Sequence, residues 1–324
     1  GDTMDEIIGA SAWYKITVFD ADRKTPVWEI STNLDIGALL VIDTDSDGVP
    51  EIIYGDSQWG KIHAVDARTH TEKWSVTNPE HGVSGIALGD VDHDGKLDLL
   101  WGAGGSSSGP DHLYIADPAT GTIKWQSMHV DVPLNAVAVD DIDGDGVDEI
   151  VMVSHRSDSG YASGVLHIFN ARTHALKYQV PLDIQDWSGV RSVKIGDVDN
   201  DGKIEFLVTT ANLYDGVIRV YDGTTYLFKQ QTAAYSSKSF TAMAIGDMDN
   251  DGRNEIVAGC GSNLIFSKVL PHPTPLNIAL KWKSLFYKNI SAILKSFPLS
   301  WDREISGNIL SLLMQSLIQT RSLS

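Results

Sequence analysis

A nine-residue stretch recurs five times in this chain of 324 residues and constrains its fold more than any other feature. Asp43-Thr44-Asp45-Ser46-Asp47-Gly48-Val49-Pro50-Glu51 returns as Asp90 to Asp98, Asp141 to Glu149, Asp197 to Glu205 and Asp247 to Glu255, with acids at positions 1, 3, 5 and 9 and glycine at position 6. Carboxylates on alternate residues of a tight loop can converge on one hard cation. Glycine permits the sharp turn, and the main-chain carbonyl of position 7 adds an oxygen. The candidate ligands are therefore Asp43, Asp45, Asp47, Val49 and Glu51; Asp90, Asp92, Asp94, Lys96 and Asp98; Asp141, Asp143, Asp145, Val147 and Glu149; Asp197, Asp199, Asp201, Lys203 and Glu205; and Asp247, Asp249, Asp251, Arg253 and Glu255, with position 7 acting through its carbonyl. The expected ion is Ca²⁺. An EF-hand is excluded, because its last acid falls at position 12, where this chain has Tyr54, Trp101, Met152, Val208 and Ala258. A solvated Asp-Gly turn explains one such copy but not five.

Charge follows from the loops. The formal net charge is −18, and positions 1, 3, 5 and 9 of the five loops account for 20 of the 43 Asp and Glu. Five bound Ca²⁺ would bring the net charge to −8, so the acidity is mostly local ligand chemistry. Such a surface argues against nucleic acid or anionic lipid as a partner. The single cysteine, Cys260, excludes an internal disulfide framework. No stretch reaches the roughly 18 apolar residues of a membrane span.

The loops mark out a repeat. Asp2 to Ile8 aligns with Asp145 to Val151, so the chain opens inside a sixth, incomplete loop. Successive position-9 acids from Glu6 onward are spaced by 45, 47, 51, 56 and 50 residues, in the range of propeller blades. Large apolar residues stand two and four places before each loop, as in Val41 and Leu39 or Ile195 and Val193, and a short apolar run such as Ile52-Ile53-Tyr54 follows. These predict two adjacent strands joined by the loop. A third strand ends in a second motif, Asp66-Ala67-Arg68-Thr69 before Trp74 and Asp117-Pro118-Ala119-Thr120-Gly121 before Trp125, with related copies from Asp20 to Trp28, from Asn170 to Tyr178 and from Asp222 to Thr225. Its Asp and Thr can bond the turn backbone, and the aromatic opens a fourth strand where it can pack on the next unit. The predicted fold is all-β: a β-propeller of four-stranded antiparallel blades, six units being countable.

Residues 1–285 are predicted to form the propeller. The remainder, 286–324, departs from it: Ile290 to Leu294 resembles a degenerate closing strand, and apolar residues from Ile309 to Ile318 suit an amphipathic helix, unless this tail is truncated or out of frame.

The Asp-x-Asp-x-Asp-Gly-x-x-Asp/Glu loops between strands resemble the FG-GAP and VCBS repeat families, which include the calcium-bearing propeller of integrin α chains. The resemblance covers Gly1 to about Gly261 and departs from the integrin pattern in lacking the Phe-Gly and Gly-Ala-Pro elements, so a bacterial or archaeal FG-GAP-like protein is the nearer match. It implies calcium at the loop acids, seven blades where six are countable, and a role in adhesion. The Asp-x-x-Thr-Gly-x-x-x-Trp elements resemble the tryptophan-docking motif of quinoprotein propellers.

Strand parity places the calcium loops and the Asp-x-x-Thr turns on one face. The opposite face receives Trp13, Trp59, Tyr161 and Tyr214 from one set of connections and His81, Trp187 and Tyr235 from the other. Trp13, Trp59, Tyr161, Trp187 and Tyr214 are the candidates for stacking on a sugar or anchoring a protein. The leading expectation is a calcium-stabilised scaffold, extracellular, on the cell surface or periplasmic, that binds a protein or carbohydrate ligand. The alternative is a carbohydrate-active enzyme similar to propeller polysaccharide lyases, with calcium neutralising a uronate. No cluster marks one repeat as catalytic, and His63 and His167, at equivalent positions of the third strand, read as solvated surface.

Overall fold

The computed structural model describes residues 6–12, 14–23, 25–33, 35–56, 60–77, 82–103, 112–129, 134–155, 164–182, 190–211, 215–232, 234–236, 240–247, 250–260 and 263–267. These residues contain no helix, and form six consecutive antiparallel sheets. The first sheet is β1 (Glu6–Ala12), β2 (Lys15–Asp20) and β3 (Thr25–Ser31). The second is β4 (Ile36–Ile42), β5 (Glu51–Asp56), β6 (Lys61–Asp66) and β7 (Glu72–Thr77), and the third is β8 (Val83–Gly89), β9 (Asp98–Ala103), β10 (Leu113–Ala116) and β11 (Ile123–Gln126). The fourth is β12 (Leu134–Asp140), β13 (Glu149–His155), β14 (Gly164–Asn170) and β15 (Leu176–Leu182). The fifth holds β16 (Val190–Gly196), β17 (Glu205–Ala211), β18 (Asp215–Asp222) and β19 (Phe228–Gln231), with the short β20 (Tyr235–Ser236) also on β18. The sixth is β21 (Phe240–Gly246), β22 (Glu255–Cys260) and β23 (Asn263–Ser267).

Each sheet is an up-and-down meander in which sequence neighbours pair, and each acidic loop joins its first and second strands. Among the described residues the first sheet has three strands, and β1 stands where the second strand of the later sheets does. The meanders are consistent with propeller blades. The proposed closing strand and helix at 286–324 lie outside the described residues, among which the sixth sheet has three strands.

The sheets stack face to face, and this explains their burial. All six residues of β5 are buried, because the second strand of a blade has a neighbouring blade on either side. Five hydrophobic clusters fill the five gaps between consecutive sheets. Ile16 and Val18 meet Ile52 and Tyr54 in the first gap, and Ile53 and Ile62 meet Leu99 and Trp101 in the second. Ile115 meets Ile150 and Phe169, Leu166 and Ile168 meet Phe206 and Tyr221, and Leu207 and Val220 meet Met243 and Ile256 in the rest. The apolar residues two and four places before each loop belong to this packing, with Val137 and Val139 on one side of their strand and Ala136 and Ala138 on the other.

The aromatic residue of the fourth strand does pack on the following unit. In the Asp-x-x-Thr turn the carboxylate of Asp66 accepts the N–H of Arg68 and Thr69, and that of Asp117 accepts those of Ala119 and Thr120. The residue after the threonine is then left-handed, at φ 60° for His70, 71° for Gly121, 58° for His174 and 60° for Tyr226. The aromatic of the preceding blade docks on that residue. Trp28 stacks on His70 at 3.9 Å between ring centroids, Trp125 on His174 at 4.3 Å, and Tyr178 meets Tyr226 at 5.3 Å. Trp74 lies over Gly121 and donates its Nε1–H to Pro118 O at 3.0 Å.

One sequence expectation about this framework needs correction. His167 is not solvated: it is 3% exposed, its Nε2 contacts Gln179 and its Nδ1 has no partner among the described residues. Its ring lies beside Phe169 at 6.1 Å between centroids, whereas His63 remains half-buried against Tyr54 and Glu72. Tyr235 packs edge-on against Phe240 at 5.4 Å beside the last cluster.

Two predictions follow from the packing. A Cβ on Gly121 would lie 2.7 Å from Trp74 Cε3 at a left-handed φ, so Gly121→Ala should cost about 2–3 kcal/mol in urea unfolding. Burial pushes the His167 pKa down to about 4, below its ordinary 6.5. The folded state therefore resists its protonation, and its contribution, full above pH ~6.5, is lost as pH falls toward 4, about 3 kcal/mol in all. His167→Gln should flatten the stability difference between pH 7 and pH 4.5, measured by thermal unfolding.

Candidate metal centres

Each acidic loop is wound by its own carboxylates. The position-1 acid accepts the N–H of positions 5 and 6: Asp43 from Asp47 and Gly48 at 3.2 and 2.9 Å, Asp90 from Asp94 and Gly95 at 2.9 and 2.8 Å, and likewise Asp141, Asp197 and Asp247. The position-5 acid accepts the N–H of position 7, as Asp47 does from Val49 and Asp201 from Lys203. The glycine at position 6 has φ near 80° in all five loops, and a Cβ there would meet nothing within 4 Å in any of them. Backbone conformation, not space, demands glycine. Position 4 is left-handed as well, at Ser46, His93, Gly144, Asn200 and Asn250. The sequence signal for it, a bias toward Asn and Gly, was present but diluted by Ser and His.

The winding brings ligand atoms together. In three loops the acids at positions 1, 3 and 9 each offer an oxygen within 4.8 Å of the others: Asp43, Asp45 and Glu51; Asp141, Asp143 and Glu149; Asp197, Asp199 and Glu205. In the second loop the group is Asp90, Asp92 and Asp94, from positions 1, 3 and 5. Asp98 is one methylene shorter than the glutamates and stands outside that group. The position-5 acids Asp47, Asp145 and Asp201 likewise lie outside the groups of their own loops. Asp249 lies outside the described residues, so the fifth loop is seen only through Asp247, Asp251, Arg253 and Glu255. An all-oxygen donor set of this span suits a hard cation with ligands at about 2.3–2.6 Å, which is the calcium range. The acids at positions 1 and 3 and the glutamates at position 9 would hold it.

The position-9 acid is the most enclosed member. The side chains of Glu51, Glu149 and Glu205 are 0% exposed and that of Asp98 is 1%. One oxygen of each accepts the N–H of position 2: from Thr44 at 2.8 Å, Val91 at 3.3 Å, Ile142 at 3.2 Å and Val198 at 3.0 Å. The other oxygen accepts from a lysine of the fourth strand: Lys73 to Glu51 at 2.9 Å, Lys124 to Asp98 at 2.6 Å, Lys177 to Glu149 and Lys229 to Glu205 at 2.7 Å. Three of these lysines also reach the position-3 acid, Lys73 to Asp45 at 2.5 Å, Lys177 to Asp143 at 2.8 Å and Lys229 to Asp199 at 3.0 Å. Sequence reasoning missed the lysines. Their signal was a lysine that recurs every 51, 53 and 52 residues and precedes the aromatic of the second motif in the first three copies.

Electrostatics follow the burial. Enclosure raises Asp98, Glu149 and Glu205 above the ordinary carboxylate range and outweighs the lysine beside each. The hydrogen bond from Lys73 lowers the exposed Asp45. At Asp143 burial acts upward, but the bonds from Lys177 and Tyr226 prevail and its pKa falls. The three shared lysines are raised: Lys73 by its bond to Asp45, and Lys177 and Lys229 because their carboxylate partners outweigh desolvation.

Neighbouring loops touch. Asn254 donates its main-chain N–H to Asn200 Oδ1 at 2.8 Å and its side-chain amide to Asp197 O at 2.7 Å, joining the fourth loop to the fifth. Tyr226 of the fifth sheet donates its hydroxyl to Asp143 Oδ2 at 3.0 Å.

The loop geometry agrees with two family models, an FG-GAP-like repeat over residues 197–258 and an FG-GAP repeat over residues 82–120. The chain carries FG-GAP repeats. The segment 82–120 contains the second acidic loop and the segment 197–258 the fourth and fifth, each with the strands beside it, the unit that recurs in the sheets. The solved structure of a protein of unknown function from Bacteroides caccae is similar to this chain with a TM-score of 0.51 at 14% identity, covering 81% of this chain and 89% of that one. At that identity it supports the fold alone. No match was found among curated proteins.

The five aromatic residues proposed for ligand contact, Trp13, Trp59, Tyr161, Trp187 and Tyr214, all lie outside the described residues. No helix among the described residues is long and apolar enough to cross a membrane.

Because the acidic loops share one construction, Asp90→Ala, Asp141→Ala and Asp197→Ala should lower stability by comparable amounts. Each strips an acceptor from at least two loop N–H groups, about 1–3 kcal/mol in a cation-free buffer. Urea unfolding of the three variants checks this.

Proposed function

We propose that this chain is a calcium-stabilised propeller scaffold that works outside the cytosol and binds a protein or a glycan. The observation that carries the reading is the repeated convergence of carboxylate oxygens within 4.8 Å, in four loops of one design at the same place in successive blades. The carbonyl of position 7 would complete the oxygen set. Extracellular calcium modules bind at ~10⁻⁴ to 10⁻³ M, a concentration met outside cells and not in the cytosol. The acids of the fifth loop and its Arg253 carbonyl belong to the same proposal.

Ligand contact is assigned to the face opposite the calcium loops. Antiparallel meanders return every second connection to the same side, and tight turns with fixed carboxylate geometry fill the loop side. By strand parity the connections that carry Trp59 and Trp187 fall to the other side, and their sequences lack the acidic motif, which suits binding loops on a rigid scaffold.

Thermal unfolding in EDTA and in millimolar Ca²⁺ tests the first half of this reading. The midpoint should rise with Ca²⁺, with roughly 1 kcal/mol per occupied site when the ion is a few-fold above its dissociation constant. An unchanged midpoint, together with no heat of Ca²⁺ binding, would sink it. A glycan and cell-surface-protein array tests the second half. Trp59→Ala and Trp187→Ala should weaken any ligand found while leaving the Ca²⁺-dependent midpoint in place.

A further inference from the structure

The lysines that meet the loop acids sit at a break in strand register. Ala64 pairs with Trp74 and Val65 with Glu72, so Lys73 is the extra residue of a bulge. Lys124 falls between the pairs Ile115–Trp125 and Ala116–Ile123, Lys177 between Ile168–Tyr178 and Phe169–Leu176, and Lys229 between Val220–Gln230 and Tyr221–Phe228. A bulge re-aims the side chain that it carries. Four times it aims an ammonium group at the buried acid that closes an FG-GAP loop. The first sheet has the same bulge with Val27, which is 57% exposed, so the backbone does not demand lysine there. The buried acid does.

We propose that Lys73, Lys177 and Lys229 are internal cations that share the loop carboxylates with a bound divalent ion. They hold the blade together when the ion is absent and weaken its binding when it is present. The competition rests on the calcium reading above; the counter-ion role does not. A carboxylate with no exposure is costly without a partner charge, and the lysine supplies one. In these three loops the two acids that the lysine touches, at positions 3 and 9, are both in the convergent group, so ion and ammonium lean on the same oxygens. Two cations on shared ligands repel, and each lowers the affinity for the other. The second loop separates the two roles: Lys124 holds Asp98, while the convergent group is Asp90, Asp92 and Asp94. Lys124 is thus a counter-ion that does not share its carboxylate with the metal site.

The test compares Lys177→Met, Lys229→Met and Lys124→Met with Arg172→Met, which removes the same charge from an exposed turn. Thermal unfolding in EDTA and calorimetric titration with Ca²⁺ are the readouts. Lys177→Met and Lys229→Met should unfold several degrees below wild type in EDTA, recover in Ca²⁺ and bind one Ca²⁺ about tenfold more tightly. Lys124→Met should lose stability in EDTA with a smaller gain in Ca²⁺ affinity, because Lys124 bonds Asp98 and reaches Asp92 and Asp94 only through space, and Arg172→Met should alter neither. Wild-type affinity in Lys177→Met and Lys229→Met, with EDTA melting like that of Arg172→Met, overturns the proposal. Absence of Ca²⁺ binding in wild type and variants alike overturns the calcium reading and the competition with it, a result distinct from wild-type binding that the lysine changes leave untouched. Should Lys177→Met fail to fold in EDTA, the double variant Lys177→Met/Glu149→Gln removes both charges and should fold; its failure counts against the counter-ion role.

Discussion

A four-stranded meander with apolar residues on both faces cannot stand alone, and the rest of this structure depends on that constraint. β5 and its equivalents present buried side chains to both sides, so each sheet requires a sheet before it and a sheet after it. The five clusters are the consequence. Their contacts are hydrophobic and non-directional, and orientation is supplied by the docking of Trp28, Trp74, Trp125 and Tyr178 on the left-handed turn of the next blade. Stacking thus supplies the energy, and the turns fix the angle between successive blades.

Within a blade the acid at loop position 9 is the point where three elements meet. It opens the second strand, takes the N–H of loop position 2 with one oxygen, and takes the lysine of the fourth strand with the other. The loop, the second strand and the outer strand are therefore tied through one buried carboxylate. A cation held there would add to this tie in the loops where Glu51, Glu149 and Glu205 converge with positions 1 and 3. Contacts such as Asn200 with Asn254 and Tyr226 with Asp143 run from one loop to the next blade.

Much of the fold was legible in the chain, because its signals are local and repeated. Strand pairs flanking each loop, the turn after the third strand and the forward packing of the aromatic all came from patterns of fewer than a dozen residues. The site was legible in its residue types but less so in its geometry. All four acids look equivalent in the sequence, yet Asp47, Asp145 and Asp201 turn to their own loop N–H groups while Glu51, Glu149 and Glu205 join the group. Asp98 leaves its group because it is shorter by one methylene. His167 was misread because it holds the same place in its strand as His63, and the sequence does not say that one is enclosed and the other half-open.

By itself the sequence determined the repeat, the antiparallel meander, the left-handed glycine of each loop and the oxygen character of the candidate sites, since each depends on residues a few positions apart. The tertiary structure decided which acids converge, which of them a lysine answers, and which aromatic docks on which turn. Lys177 and Glu149 are 28 residues apart, and Trp74 and Pro118 are 44. Contacts over such separations are set by a bulge in the register and by the stacking of one sheet on another, and neither is written in any single stretch of chain.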